Sequence, residues 1–344
     1  MKYVYSNEIV FRGHPDKVCD QIGAAILYEC MKQDKNTRAG IEVCGGKGKI
    51  FITGELTTKA KINVKKIVKK VLMDVGYIRE AKKYKIINNI GIQSSDIALG
   101  VDIGGAGDQG MMFGYACDDT DVYLPKAMVI LQEFAKEYDK LRKKHSTLFY
   151  PDGKAQITGI YDSNDYLVKI KTFLCSYQNC ETDRRSTDII LHNIILRICK
   201  KYKVEVEEVL FNPTGKFLIG GFEGDAGLTG RKIVVDAYQS FANVGGGCMN
   251  GKDPTKVDFS AAHKARQIAV NFLIDKQLKW CEVQLSYAIG KAEPVAIYIR
   301  SDKGEFRPSP SLYHECSVKH IIEDLKLKDI DYVKLAEFGH FFKE

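Results

Sequence analysis

The stretch Gly104-Gly105-Ala106-Gly107-Asp108-Gln109-Gly110 decides the fold class. It holds a literal G-x-G-x-x-G at Gly105, Gly107 and Gly110. A dinucleotide fingerprint follows a strand and opens a helix directly, so that the pyrophosphate meets the helix N-terminus. Here Met111-Met112-Phe113-Gly114-Tyr115 follows, then the acidic Asp118-Asp119-Thr120-Asp121, and the next helix waits until Pro125. The doubly wound parallel sheet is therefore rejected. What is left is a backbone-exposing loop with a carboxylate in it.

Working outward, 3.6-residue periodicity marks five helices. One starts at Pro15 and carries Val18, Ile22, Ala25 and Ile26. The others carry Val64 to Val75, Met128 to Leu141 (starting at Pro125), Leu191 to Ile198 within residues 183–202, and Ala261 to Leu273. Strand-like runs come in pairs. Ile41-Glu42-Val43 and Ile50 to Thr53 flank a turn at Gly45-Gly46, and Gln156 to Tyr161 and Tyr166 to Leu174 flank Asp162-Ser163-Asn164-Asp165. A third pair alternates through Val283, Leu285, Tyr287 and Val295, Ile297, Ile299. The order helix, strand, strand, helix, strand repeats from near residues 15, 125 and 258. Hairpins followed by helices make α+β layers. We expect three similar domains, 1–98, 99–219 and 220–344.

The 344 residues suit two or three domains. No apolar run reaches the ~20 residues of a membrane span. Residues 1–8 lack a signal-peptide core, so the expected place is the cytoplasm. The ten cysteines form no C-x-x-C pair and read as reduced thiols. The net charge of +7 admits a nucleic-acid stripe or solvated lysine faces. The densest run, 59–85, places Lys65, Lys66, Lys69 and Lys70 opposite an apolar stripe, which favours the second.

Three further motifs carry chemistry. Gly245-Gly246-Gly247-Cys248-Met249-Asn250-Gly251-Lys252-Asp253-Pro254 nearly spells a P-loop, but Asp253 and Pro254 stand where Ser/Thr and a helix belong. Gly220 to Lys232 ends in the cation pair Arg231-Lys232, read either as a polyphosphate clamp or as a turn into a strand at Ile233-Val234-Val235. Gly13-His14-Pro15-Asp16-Lys17 opens a helix. There His14 and Lys17 can face a phosphate and Asp16 can hold a metal, or His14 and Asp16 simply cap the helix. Lys154, Arg231, Lys232, Lys252 and Lys256, beside Asp16, Asp108, Asp225 and Asp258, are the inventory of a magnesium–polyphosphate site.

With these motifs in order along the chain, G-H-P-D-K (Gly13 to Lys17), G-A-G-D-Q-G (Gly105 to Gly110), G-D-A-G-L-T-G-R-K (Gly224 to Lys232) and G-K-D-P-T-K-V-D (Gly251 to Asp258), the sequence resembles the S-adenosylmethionine synthetase family. The resemblance implies three α+β domains with pseudo-threefold symmetry. It implies a homodimer with active sites between subunits, often paired into tetramers. It implies transfer of the adenosyl group of ATP to methionine sulfur, followed by hydrolysis of tripolyphosphate to phosphate and diphosphate. By this resemblance His14, Lys154, Arg231, Lys232 and Lys252 are the catalytic set. Asp152, Lys216, Phe217, Asp225 and Cys248 join them on the ATP side. Glu55, Gln93, Asp108, Asp225 and Lys256 take the methionine side. Asp16 and Asp258 are implied ligands of Mg2+, and Glu42 of K+.

The chain departs from the family in a shortened gating segment between Gln93 and Asp108, and in Cys248-Met249-Asn250 replacing Ala-Phe-Ser. No cation or metal-ligand position is lost, which argues against a catalytically inactive regulatory homologue. An NAD-dependent oxidoreductase lacks its βαβ unit, and a nucleic-acid binder lacks aromatics interleaved with its basic residues.

Overall fold

The computed structural model describes residues 2–94, 104–180 and 183–341. The shortened gating segment falls mostly outside the described residues, as do the last three residues. The elements run β1 (Tyr3–Val10), α1 (Pro15–Met31), β2 (Arg38–Gly46), β3 (Lys49–Thr57), α2 (Val64–Val75), α3 (Glu80–Lys83) and β4 (Lys85–Gly91). Then come β5 (Gly110–Cys117), α4 (Lys126–Lys144), β6 (Phe149–Tyr161), β7 (Leu167–Asn179), α5 (Arg184–Lys201) and β8 (Glu205–Phe211). The last third holds β9 (Gly227–Leu228), α6 (Ile233–Asp236), α7 (Val257–Lys276), β10 (Trp280–Tyr287), β11 (Ala296–Ser301), β12 (Gly304–Phe306), α8 (Pro310–Glu315), α9 (Val318–Asp324) and α10 (Tyr332–Phe338). The architecture is α+β in three domains, and the Gly105 to Gly110 stretch runs into a strand, not a helix.

Local chemistry explains the five long helices. In α2, Val68, Val71, Leu72 and Val75 are buried, Asn63 Oδ1 accepts from Lys66 N at 3.0 Å, and Gly76 ends the helix at φ +114°. Lys65, Lys66, Lys69 and Lys70 are all exposed, so the densest basic run is a solvated face. The β2–β3 turn is Lys47-Gly48, both at positive φ, as a two-residue hairpin loop requires. Gly45 and Gly46 thus belong to β2, one residue pair back from the expected turn. The expected strand at Ile233-Val234-Val235 is instead the single helical turn α6.

Each of three four-stranded sheets borrows a strand. Their orders are β4-β3-β2-β9, β1-β6-β7-β8 and β12-β11-β10-β5. Each hairpin therefore receives on its open edge a strand from another third of the chain: β9 on β2, β1 on β6, β5 on β10. The sequence pattern had not revealed β1 and β5 as strands. Two cores result. Val18, Ile22, Ile41, Ile50, Leu72, Phe259, Ala265 and Val283 belong to one spanning the first and last thirds. Ile9 and Phe11 join Phe134, Ile157, Phe173 and Leu191 in the other. The exchange brings the loops before α1, after β8 and before α7 to one place.

Candidate functional site

The site begins at the N-terminus of α1. His14 is the N-cap residue and its Nδ1 accepts from Asp16 N at 3.2 Å, with Pro15 as the first helical residue. The cap reading holds for His14, and the cap leaves the remaining helix N–H groups at the start of α1 open to an anion. β9 lies hard against this turn. A Cβ on Gly227 would sit 2.2 Å from the Pro15 carbonyl oxygen, so only glycine allows the approach. That approach lets Leu228 N donate to Asp16 Oδ1 at 3.0 Å. Lys232 Nζ meets Asp16 Oδ2 at 2.6 Å and Arg231 Nε lies 3.5 Å from Oδ1. Asp16, 1% exposed, thus holds the cation pair in place.

Beside it lies a cavity of about 210 Å³ lined by His14, Asp152, Lys154, Phe217 and Asp225. These come from all three thirds of the chain. Lys154 pairs in register with Val10, which carries β6 to the end of β1 and the start of the His14 turn. Asp152 Oδ2 accepts from Gly221 N at 2.7 Å, and burial pushes its carboxyl up to about 6. Burial, and then the positive charge of Lys232, hold His14 down at about 4, so its imidazole is neutral at pH 7.

Glu55, Gln93 and Lys256 form a separate cluster on the outer side of β3. Glu55 Oε1 accepts from Lys256 Nζ at 2.5 Å and from Gln93 Nε2 at 3.0 Å. None of the three lines the cavity. Lys252 Nζ pairs with Asp258 Oδ2 at 2.5 Å, beneath a glycine loop so close that a Cβ on Gly247 would lie 2.0 Å from the Asp258 carboxyl carbon. Glu42, exposed on β2, accepts the Thr229 hydroxyl. Cys248 Sγ faces Asn250 O at 3.5 Å, and burial raises its thiol. Asp108 and Lys216 are exposed, and Asp108 Oδ1 takes the Gln109 N–H at 2.8 Å.

Lys17 does not face a phosphate. Its Nζ is buried against Asp236 at 2.5 Å and lies 3.6 Å from Asp20. The sequence reading missed Asp20, Thr229, Asp236, Asn250 and His340, which support the site from behind. Asp20 had a local signal in its i,i+3 spacing from Lys17, and Thr229 and Asn250 stand inside the glycine-rich motifs. The others meet across long stretches of chain.

No group of three or more His, Cys, Asp or Glu side chains gathers as a metal cage among the described residues. Asp16 and Asp258 are hard oxygen donors standing singly. That suits a magnesium ion completed by phosphate oxygens and water. Glu42 is likewise an oxygen donor, with the Thr229 oxygen beside it.

Family models described as the N-terminal, central and C-terminal domains of S-adenosylmethionine synthetase match residues 2–95, 103–217 and 219–344. The chain belongs to the S-adenosylmethionine synthetase family. The S-adenosylmethionine synthases of two Staphylococcus epidermidis strains are each 40% identical over 372 aligned positions, covering 99% of this chain and 93% of theirs. The family acts on ATP and methionine and uses divalent and monovalent cations.

Proposed function

We propose that the cavity at the head of α1 is where this S-adenosylmethionine synthetase breaks the C5′–O bond of ATP. The methionine sulfur is a neutral nucleophile whose lone pair forms the new S–C5′ bond. The electron pair of the broken bond leaves on tripolyphosphate, which water then splits into phosphate and diphosphate. No general base is needed for the first step. Its barrier lies in alignment and in charge building on the leaving group.

The residues divide by that logic. Neutral His14 donates a hydrogen bond near the oxygen that departs. Lys154, Arg231, Lys232 and Lys252 gather the triphosphate, and Asp152, Lys216, Phe217, Asp225 and Cys248 hold the rest of ATP. Glu55, Gln93, Asp108, Asp225 and Lys256 hold methionine. Asp16 and Asp258 would hold Mg2+ and Glu42 would hold K+, ions that neutralise phosphate charge when bound. The observation that carries this reading is one cavity lined by His14, Asp152, Lys154, Phe217 and Asp225, with the Asp16–Lys232 pair on the same helix cap.

The separate Glu55–Gln93–Lys256 cluster supports a homodimer in which one copy supplies the ATP side and the other the methionine side, with tetramers built from such dimers. Among the described residues no helix is long and apolar enough to cross a membrane, which agrees with a cytoplasmic enzyme. We keep the division 1–98, 99–219 and 220–344, with one strand of each part lent to a neighbour's sheet.

The test is incubation with ATP, methionine, Mg2+ and K+, followed by chromatography for S-adenosylmethionine, phosphate and diphosphate. Folded protein that yields none of the three overturns the reading. Equal rates in sodium-only and potassium buffers overturn the role given to Glu42.

A further inference from the structure

Asp236 ends α6, four residues after Lys232, and three parts of the chain meet on it. Its Oδ2 takes Lys17 Nζ from α1 at 2.5 Å, and its carbonyl oxygen takes the His340 backbone N–H at 3.1 Å. His340 is 4% exposed, and its ring Nε2 lies 3.0 Å from Asn250 Oδ1. Asn250 sits in the glycine loop between Cys248 and Lys252. The segment around His340 is firmly seated. Phe341 stacks on Tyr238 at 4.7 Å and 7°, Phe338 O accepts from Gln132 Nε2 at 3.1 Å, and Glu337 pairs with Arg12 at 2.9 Å. Burial drives the His340 imidazole well below its ordinary pKa, so it is neutral. With Asn250 Oδ1 facing Nε2, that nitrogen is the donor.

We infer that His340 is a positioning residue for adenosyl transfer: by joining Asp236 to Asn250 it sets the spacing between the Arg231-Lys232 loop and the Lys252 loop. The inference rests on the reading of those three lysine and arginine side chains as the triphosphate clamp. Cations carried on two separate loops converge on one leaving group only if the loops keep their separation. A misplacement of about 1 Å costs up to ~100-fold in rate. His340 spans the two loops on the buried side, its backbone N–H on Asp236 and its ring on Asn250.

The test compares His340→Ala, His340→Gln and Asn250→Ala with the full-length protein. We expect His340→Ala and Asn250→Ala each to lower kcat by ~10–100-fold while the KM for methionine moves less than about threefold. His340→Gln, whose amide can donate to Asn250, is expected to recover at least about a third of wild-type kcat. The double variant His340→Ala/Asn250→Ala should be no slower than the slower single, because both remove one bridge. Tripolyphosphate affinity by calorimetry, which needs no turnover, should weaken at least about tenfold in His340→Ala. This separates a failed clamp from a failed assignment of the reaction. A kcat within twofold of wild type in His340→Ala or Asn250→Ala, unchanged tripolyphosphate affinity in His340→Ala, or a multiplicative double variant overturns the inference. If His340→Ala does not fold, Asn250→Ala decides by the same kcat threshold, and a His340→Gln that recovers less than about a third of wild-type kcat counts against the bridge.

Discussion

Lys252 shows how much one cation carries here. Its Nζ lies 2.5 Å from Asp258, and its side chain is 17% exposed. Lys252→Ala is expected to lower turnover at least ~100-fold with an unchanged circular dichroism spectrum, because a clamp cation acts where charge builds in the transition state. Near-normal S-adenosylmethionine formation by the variant would refute this. Asp20 makes a different demand. Gly230 N donates to its Oδ1 at 3.1 Å, Oδ2 accepts no hydrogen bond and lies 3.6 Å from Lys17 Nζ, and burial pushes the carboxyl up to about 7 against the pull of Lys17. The folded chain then keeps a proton that the unfolded chain releases near 3.8. The stabilisation is fully present below about pH 3.8 and is lost as pH rises from there through about 7. Urea unfolding at fixed protein concentration should show roughly 1 kcal/mol more stability at pH 6.5 than at pH 8. Asp20→Asn should flatten the difference, and a flat wild-type profile would refute the assignment. His14, Asp16, Lys232 and Lys252 were legible as candidate site residues because each stands in a motif whose local chemistry suits phosphate or its magnesium ion. Lys17, in the same motif, was misread. Its partner Asp236 is 219 positions away, and no local pattern distinguishes a buried ammonium from an exposed one.

At the scale of elements, periodicity located the helices α1, α2, α4, α5 and α7 and the three hairpins. These have local causes: an apolar stripe, a cap, a turn. β1 and β5 escaped because neither pairs with a neighbour in sequence. A strand without a hairpin partner has no turn beside it, and Gly110 to Cys117 is a run of small and apolar residues without alternation. Ile233-Val234-Val235 looked like a strand by β-branching, yet it folds as one helical turn that delivers Asp236 to Lys17. β5 is pressed onto α7 so closely that a Cβ on Gly114 would lie 2.0 Å from the Ala265 carbonyl carbon. Backbone cannot yield as a side chain tip can. Gly114→Ala is expected to destabilise by roughly 1–3 kcal/mol, seen as a lower Tm in thermal unfolding. An unchanged Tm would show that strand and helix have more room between them.

For the whole molecule, the cyclic exchange of β1, β5 and β9 makes the three domains interdependent, and it draws residues from each third around one cavity. The methionine-side cluster stands apart from that cavity, and this bears on assembly. Lys154→Ala and Glu55→Gln should each be nearly inactive alone. When the two are unfolded together and refolded as an equal mixture, about a quarter of wild-type activity should return, since half the dimers are mixed and each has one intact site. No recovery would mean that every chain holds a complete site of its own. By itself the sequence determined the α+β class, the threefold repeat of elements, the family and the stock of cations and carboxylates. All of these follow from local periodicity or contiguous motifs. Only the tertiary structure decided which sheet each leading strand joins, which ammonium is buried, and that His340 meets Asn250 beneath the glycine loop. These are pairings between residues far apart in the chain, and they are set by packing, which leaves no trace at short range.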